Sequence, residues 1–164
     1  MLFNSYLEKR MTEIDFDTFK ISEKNVLISD LANKYNLLLS EITPEYILNH
    51  HKKLKIEIIK EKCEESIIKG FVASNGHTYR TSRDDQVNMI GQKDELDANP
   101  EITTVLWKTE DMGYIEHSRE EWLTIYNEAF AHKKSKLFKY NNLKREVLNA
   151  QSHQEIIDIT WEEE

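Results

Sequence analysis

From residue 43 onward, apolar residues recur at helical intervals in two long stretches, and they alternate with polar ones in two short stretches. Thr43-Pro44-Glu45 puts a capping hydroxyl before a proline at the first helical position, with an acid in the first turn. No Pro or Gly follows until Gly70. The pattern predicts a helix over 44–69, about 26 residues or ~39 Å at 1.5 Å per residue, ended by that glycine. Its apolar residues (Ile47, Leu54 and Ile58, then Ile56, Ile59, Cys63 and Ile67) drift around the surface. The two halves are therefore expected to meet different neighbours. The second long helix opens at a capping-box pattern, Ser118-Arg119-Glu120-Glu121, and spans about 119–150. Trp122, Tyr126, Ala129, Phe130, Leu137, Tyr140, Val147 and Ala150 fall along one amphipathic face.

Shorter elements fill the gap between the two. Phe71-Val72-Ala73-Ser74-Asn75-Gly76-His77-Thr78-Tyr79 reads as a β-hairpin, with Asn75-Gly76 expected to form a two-residue type I′ turn. Ser82 with Asp85 three residues later starts a helix over roughly 83–92, expected to bury Val87, Met89 and Ile90 and to stop near Gly91. Residues 93–101 read as a polar connector. Ile102–Lys108 has strand composition, and a turn through Glu110–Gly113 leads to Tyr114-Ile115-Glu116 as a second hairpin. Ser152-His153-Gln154-Glu155 repeats the capping pattern before Ile156, Ile157, Ile159 and Trp161. Signals are weaker before residue 43: Ile14-Asp15-Phe16-Asp17 alternates, and Ser29-Asp30 stands ahead of Leu31, Tyr35, Leu38 and Leu39. The expected organisation is an N-terminal arm or docking segment over 1–43 and one domain over 44–164. That domain is expected to be α+β and mainly helical, with two long amphipathic helices packed as an antiparallel pair against one or two short β-hairpins.

Composition narrows the function classes. A chain of 164 residues can bury a core without disulfides or metal, and its lone Cys63 suits a reducing compartment. No apolar run reaches the ~18–20 residues that cross a bilayer, and the stretch Met1–Arg10 lacks the pattern of a secretory signal. The charge balance, 22 Lys+Arg against 30 Asp+Glu for a net −8, argues against coating nucleic acid.

Candidate chemistry is sparse. His50-His51 invite a metal reading, but adjacent helical residues point about 100° apart and lack a helper at helical spacing, so a solvated face is expected. His77 beside the Asn-Gly turn reads as structural. Cys63 lies between Ile59 and Ile67, where a thiol behaves as a small inert hydrophobe. Asp84-Asp85 complement a helix N-terminus. No nucleophile elbow, phosphate loop, dinucleotide fingerprint or zinc motif is present, so neither an enzyme nor a cofactor is expected. Lys133, Lys134, Lys136, Lys139 and Lys144, interleaved with Phe138 and Tyr140, read as a solvated face. A phosphate-binding patch is the alternative for them.

The order of features from Leu54 to Trp161 resembles a domain family of unknown function found in tail-fibre and baseplate-associated proteins of tailed bacteriophages. The features run from Cys63 and Ile67 to Gly70-Phe71-Val72-Ala73-Ser74 and Gly76-His77-Thr78-Tyr79, then to Asp85-Gln86-Val87-Asn88-Met89-Ile90-Gly91. Trp107 before a turn and Phe130-Ala131-His132-Lys133 on a helix come next. Ala150-Gln151-Ser152, Glu155-Ile156 and Ile159-Thr160-Trp161 close the series. The resemblance implies a non-enzymatic virion component of the phage tail, made in the host cytoplasm and working through contacts with other tail proteins, with no nucleic acid and no membrane insertion. The threefold and sixfold symmetry of tail structures implies an oligomer, a trimer first. A tail-fibre assembly chaperone absent from the particle is one alternative, and a small nucleic-acid-binding regulator another. Gly70, Asn75, Gly76 and Gly91 are expected to set backbone geometry. Phe71, His77, Tyr79, Gln86, Asn88, Trp107, Trp122 and Trp161 stand as core-or-contact candidates.

Overall fold

The computed structural model describes Leu38 and residues 43–162. The alternating piece at 14–17, the helix after Ser29 and the arm over 1–43 therefore lie outside the described residues, apart from Leu38 and Thr43. The order is α1 (Pro44–Ile68), β1 (Phe71–Val72), β2 (Thr78–Tyr79), α2 (Arg83–Ala98), β3 (Thr104–Thr109), β4 (Gly113–Ser118), α3 (Arg119–Asn149) and α4 (His153–Asp158). The two sheets are antiparallel pairs, β1–β2 and β3–β4, so the chain is mainly helical α+β. Among the described residues, no helix is long and apolar enough to cross a membrane. The chain divides into two compact units, one over 62–140 and one that takes in 43–61 and 141–162 of the described residues.

In the 62–140 unit, the end of α1 runs antiparallel to α3. The Cys63 thiol approaches Lys136 O at 3.5 Å, and one turn later His132 Nε2 approaches Ser66 O at 3.2 Å. A core of Tyr79, Met89, Leu96, Val105, Trp122 and Ile125 joins both hairpins to α2 and α3. In β3–β4 the side chains alternate as a half-buried ribbon requires. Val105 faces His117 and Trp107 faces Ile115 on the inner side, while Leu106 and Tyr114 point outward. In the other unit, Leu54, Ile59, Val147, Ala150 and Ile156 are buried. There Ser152 caps α4 by accepting from Glu155 N–H, and Glu155 reaches back to Gln151 N–H at 2.8 Å.

Three expectations are corrected. The first hairpin does not turn through two residues. Ala73 N–H donates to His77 O and Gly76 N–H to Ala73 O, leaving the three-residue loop Ser74-Asn75-Gly76 with Gly76 alone supplying the left-handed bulge position at φ 86°. Asn75 serves the loop through its side chain, whose Oδ1 accepts from His77 N–H at 3.1 Å.

The second correction concerns α2, which does not stop at Gly91. Its capping box at Ser82 and Asp85 is complete, but the helix continues through the expected connector to Ala98. A single interior glycine costs only about 1 kcal/mol, less than the packing of Leu96 returns. Met89 and Leu96 select the buried face, so Val87 (67% exposed) and Ile90 (52% exposed) point outward. The third correction is His51, which is fully buried rather than solvated.

Candidate functional site

Of the residues singled out in the sequence, those from Gly70 to Trp122 lie in the 62–140 unit, on the first hairpin, α2, β3 and the first turn of α3. Gly70 has φ 92°, and a Cβ there would stand 2.5 Å from Tyr79 O, so the strand entry admits no side chain. Phe71 stacks on His132 with ring centroids 5.6 Å apart and tilts against Tyr79 at 6.0 Å. Asn75 Nδ2 donates to Tyr79 Oη at 2.8 Å and to Glu121 Oε1 at 3.0 Å. The Tyr79 hydroxyl also lies 2.7 Å from His117 Nε2. Tyr79 is fully buried, and burial pushes its phenol above the ordinary range, so it stays neutral at physiological pH. One polar chain thus joins β2, the hairpin loop, β4 and the first turn of α3. Two buried nitrogens beside it, His117 Nδ1 and Trp122 Nε1, find no hydrogen-bond partner among the described residues.

A second link ties the two hairpin tips. His77 Nδ1 lies 2.7 Å from Asp111 Oδ2, while Asp111 Oδ1 accepts from Thr78 N–H at 3.1 Å. The hydrogen bond from His77, followed by that from Thr78, holds the Asp111 carboxyl down at about 2. Trp107 meets Trp122 edge-on at 5.3 Å, and Trp122 stacks on Tyr126 at 5.8 Å. Of the remaining singled-out residues, Asn88 and Gly91 stand exposed on α2, where a Cβ at Gly91 would meet open space. Trp161 belongs to the other unit. Gly91 therefore has no special backbone task.

The outer side of the same unit is different. Between α2 and the middle of α3 lies a groove of about 370 Å³, floored and walled by Met89, Ile90, Phe130, Leu137 and Phe138. Phe130 is 62% exposed and Phe138 60%. Lys133 and Lys134 border it. Lys133 donates to Gln86 Oε1, whose amide nitrogen is held by Thr81 O at 2.8 Å. The Lys134 ammonium lies 5.5 Å from the Phe138 ring centre. This is where two of the expected surface lysines and the singled-out Gln86 come together.

Other groups offer little chemistry. Cys63 is buried, and burial pushes its thiol up, away from the reactive thiolate. Among the described residues, no three His, Cys, Asp or Glu side chains gather as a metal site. In the other unit, His51 stacks on His153 with centroids 5.0 Å apart and Nδ1 atoms 2.8 Å apart. Burial, then the neighbouring His153, Lys55 and His50, push His51 down to about 3, so it is held neutral.

The span that carries both hairpins and the buried residues of α1, α2 and α3 is also the span that matches a known family. Residues 50–160 match the family described as Domain of unknown function (DUF4376). The chain belongs to that family. No curated protein and no solved structure matches the chain. The DUF4376 segment begins inside α1 and ends just after α4, so it takes in the hairpin junction and the groove together.

Sequence reasoning did not find Arg119. Its guanidinium donates to Asn99 O and Ile102 O, both at 3.1 Å, and to Leu96 O at 2.6 Å, capping the end of α2 from the start of α3. An arginine in the first turn of a helix is unremarkable by spacing, and its partners are carbonyls that no side-chain pattern reveals. His117 was missed for a similar reason, since alternation places it inward only once the register with Val105 is known.

Proposed function

We propose that this DUF4376 chain is a non-enzymatic structural component of a bacteriophage tail that works by binding other tail proteins. The observation that carries the protein-contact part is the apolar groove between α2 and α3, whose Ile90, Phe130 and Phe138 are exposed. Contiguous exposed apolar surface of this kind marks interaction sites on soluble domains. The tail setting rests on the resemblance of the ordered features from Cys63 to Trp161 to domains in tail-fibre and baseplate-associated chains. The phenol of Tyr79 and the thiol of Cys63, both buried and held protonated, fit a binding role. A trimer is the assembly that the threefold symmetry of tail tips and fibres favours.

Mass spectrometry of particles purified from cells expressing the chain with its genomic neighbourhood tests this reading. Recovery at a fixed ratio to a tail protein is expected, and the ratio reads the symmetry. A chain absent from particles but bound to an unassembled fibre protein would be an assembly chaperone instead. Absence from both would overturn the tail reading.

A further inference from the structure

We infer that the α2–α3 groove is the docking site for an acidic amphipathic helical segment of a partner protein. Its apolar side chains would fill the groove, and its carboxylates would reach Lys133 and Lys134. The inference rests on the protein-contact reading above and adds the chemistry of the partner.

Three observations carry it. The first is shape and surface. A volume of about 370 Å³ lies within the ~300–1,000 Å³ range of pockets that hold ligands. Ile90, Phe130 and Phe138 are each more than half exposed around it, as they would be if a partner's side chains completed the packing. A trough between two helices accepts a third helix through anchors at i, i+3, i+4 and i+7.

The second observation is charge. The chain carries a net −8, yet no Asp or Glu occurs from Ala129 to Arg145, a stretch that includes Lys133, Lys134, Lys136 and Lys139. Among the described residues, the partners of Lys133 and Lys134 are a neutral amide and an aromatic face, and neither has a carboxylate within ion-pair distance. An ammonium has three protons to donate, so each lysine keeps capacity for a carboxylate. Desolvation by an apolar partner would strengthen that pairing.

The third observation is that this charge is one-sided. α2, the opposite wall, lines the groove with Gln86, Met89 and Ile90 and brings no cation to it, its Lys93 being paired with Asp97. A polyanion would need cations along both walls, and the α2 wall supplies none. A helix with carboxylates along one edge only would set that edge against α3 and keep it away from α2. The asymmetry therefore favours an acidic amphipathic protein segment over a nucleic acid.

The test uses the full chain, immobilised, and a display library of short helical peptides with leucines along one face and randomised polar positions. Retained peptides are expected to be several-fold enriched in Asp and Glu over Lys and Arg. Their affinity, read by fluorescence anisotropy, is expected to fall at least about tenfold, ~1.4 kcal/mol, in Ile90→Glu and in Phe130→Glu. Both positions are exposed, and unfolding curves matching the parent confirm that the fold is intact. The double variant Lys133→Glu with Lys134→Glu is expected to reverse the enrichment toward basic peptides while retaining apolar binding. Retention without acidic bias, binding indifferent to Ile90→Glu and Phe130→Glu, or displacement of the peptides by a single-stranded DNA oligonucleotide would each overturn the inference. Failure here with recovery of the chain in tail particles would leave the tail reading standing. An acidic selection with absence from particles and from fibre proteins would do the reverse.

Discussion

The inner and outer faces of the 62–140 unit are built from the same materials and reach opposite ends. On the inner face, Trp122 packs against Trp107 and Tyr126, Tyr79 packs against Phe71, and the polar atoms of Asn75, Glu121 and His117 join Tyr79 in a connected chain. On the outer face, Ile90, Phe130, Leu137 and Phe138 are equally apolar but face outward, with lysines beside them. Both faces draw on α2 and α3. Residues three and four apart on a helix share a face, so Trp122, Ile125 and Ala129 turn to the hairpins while Phe130, Leu137 and Phe138 continue onto another flank. The difference teaches that an amphipathic stripe is a supply of apolar surface. Whether it becomes core or contact depends on what the rest of the chain brings against it.

The comparison is most sharply tested by truncating one ring on each face. Trp122→Ala is expected to cost about 3–5 kcal/mol in urea unfolding, because the ring is fully buried between Trp107 and Tyr126. Phe130→Ala is expected to stay within about 0.5 kcal/mol. A comparable loss at both positions would mean that the outer face is core after all.

Glycines provide the next contrast. Gly70→Ala is expected to destabilise by more than ~1 kcal/mol, since it adds a Cβ against Tyr79 O at a positive φ. Gly91→Ala, on the outer side of α2 with open space around it, is expected to gain up to about 1 kcal/mol. Opposite signs in paired denaturation curves would confirm that only the inner glycine is constrained.

Tyr79→Phe keeps the ring and removes the hydroxyl from Asn75 and His117. A loss of about 1–3 kcal/mol is expected, and no change would show that the polar chain is ornamental. The smallest effect is expected from the exposed link between the hairpin tips. Asp111 titrates near 2 in the folded state against an ordinary 3.8, so its contribution is present above about pH 4 and is lost as pH falls through 2. Unfolding measured across that window is expected to be less pH-dependent in Asp111→Asn than in the parent.

Much of this architecture is legible locally. The N-terminus of α1 follows from Thr43 and Pro44, that of α2 from Ser82 and Asp85, and that of α4 from Ser152 and Glu155, because capping is a matter of a few neighbouring backbone groups. Both hairpins announce themselves through a turn and β-branched or aromatic flanks. Helix ends are harder to read. Nothing near Gly91 says that Leu96 will find the pocket formed with Val105, Trp122 and Ile125, and that contact carries α2 through the glycine. His51 is the same lesson in the other unit: polar by type, it is buried because His153 arrives to stack on it.

The sequence by itself determined the helices and hairpins, their starts, the acidic whole and the basic stretch on α3, since each depends on residues a few positions apart. Only the tertiary structure decided which side of α2 and α3 is core. It also decided that Asn75, Tyr79, His117 and Glu121 form one polar chain, that Arg119 caps α2 from another element, and that Lys133 and Lys134 border an apolar groove. Those outcomes require segments distant along the chain to meet, and the energies that select them, burial and buried hydrogen bonds, exist only once they have met.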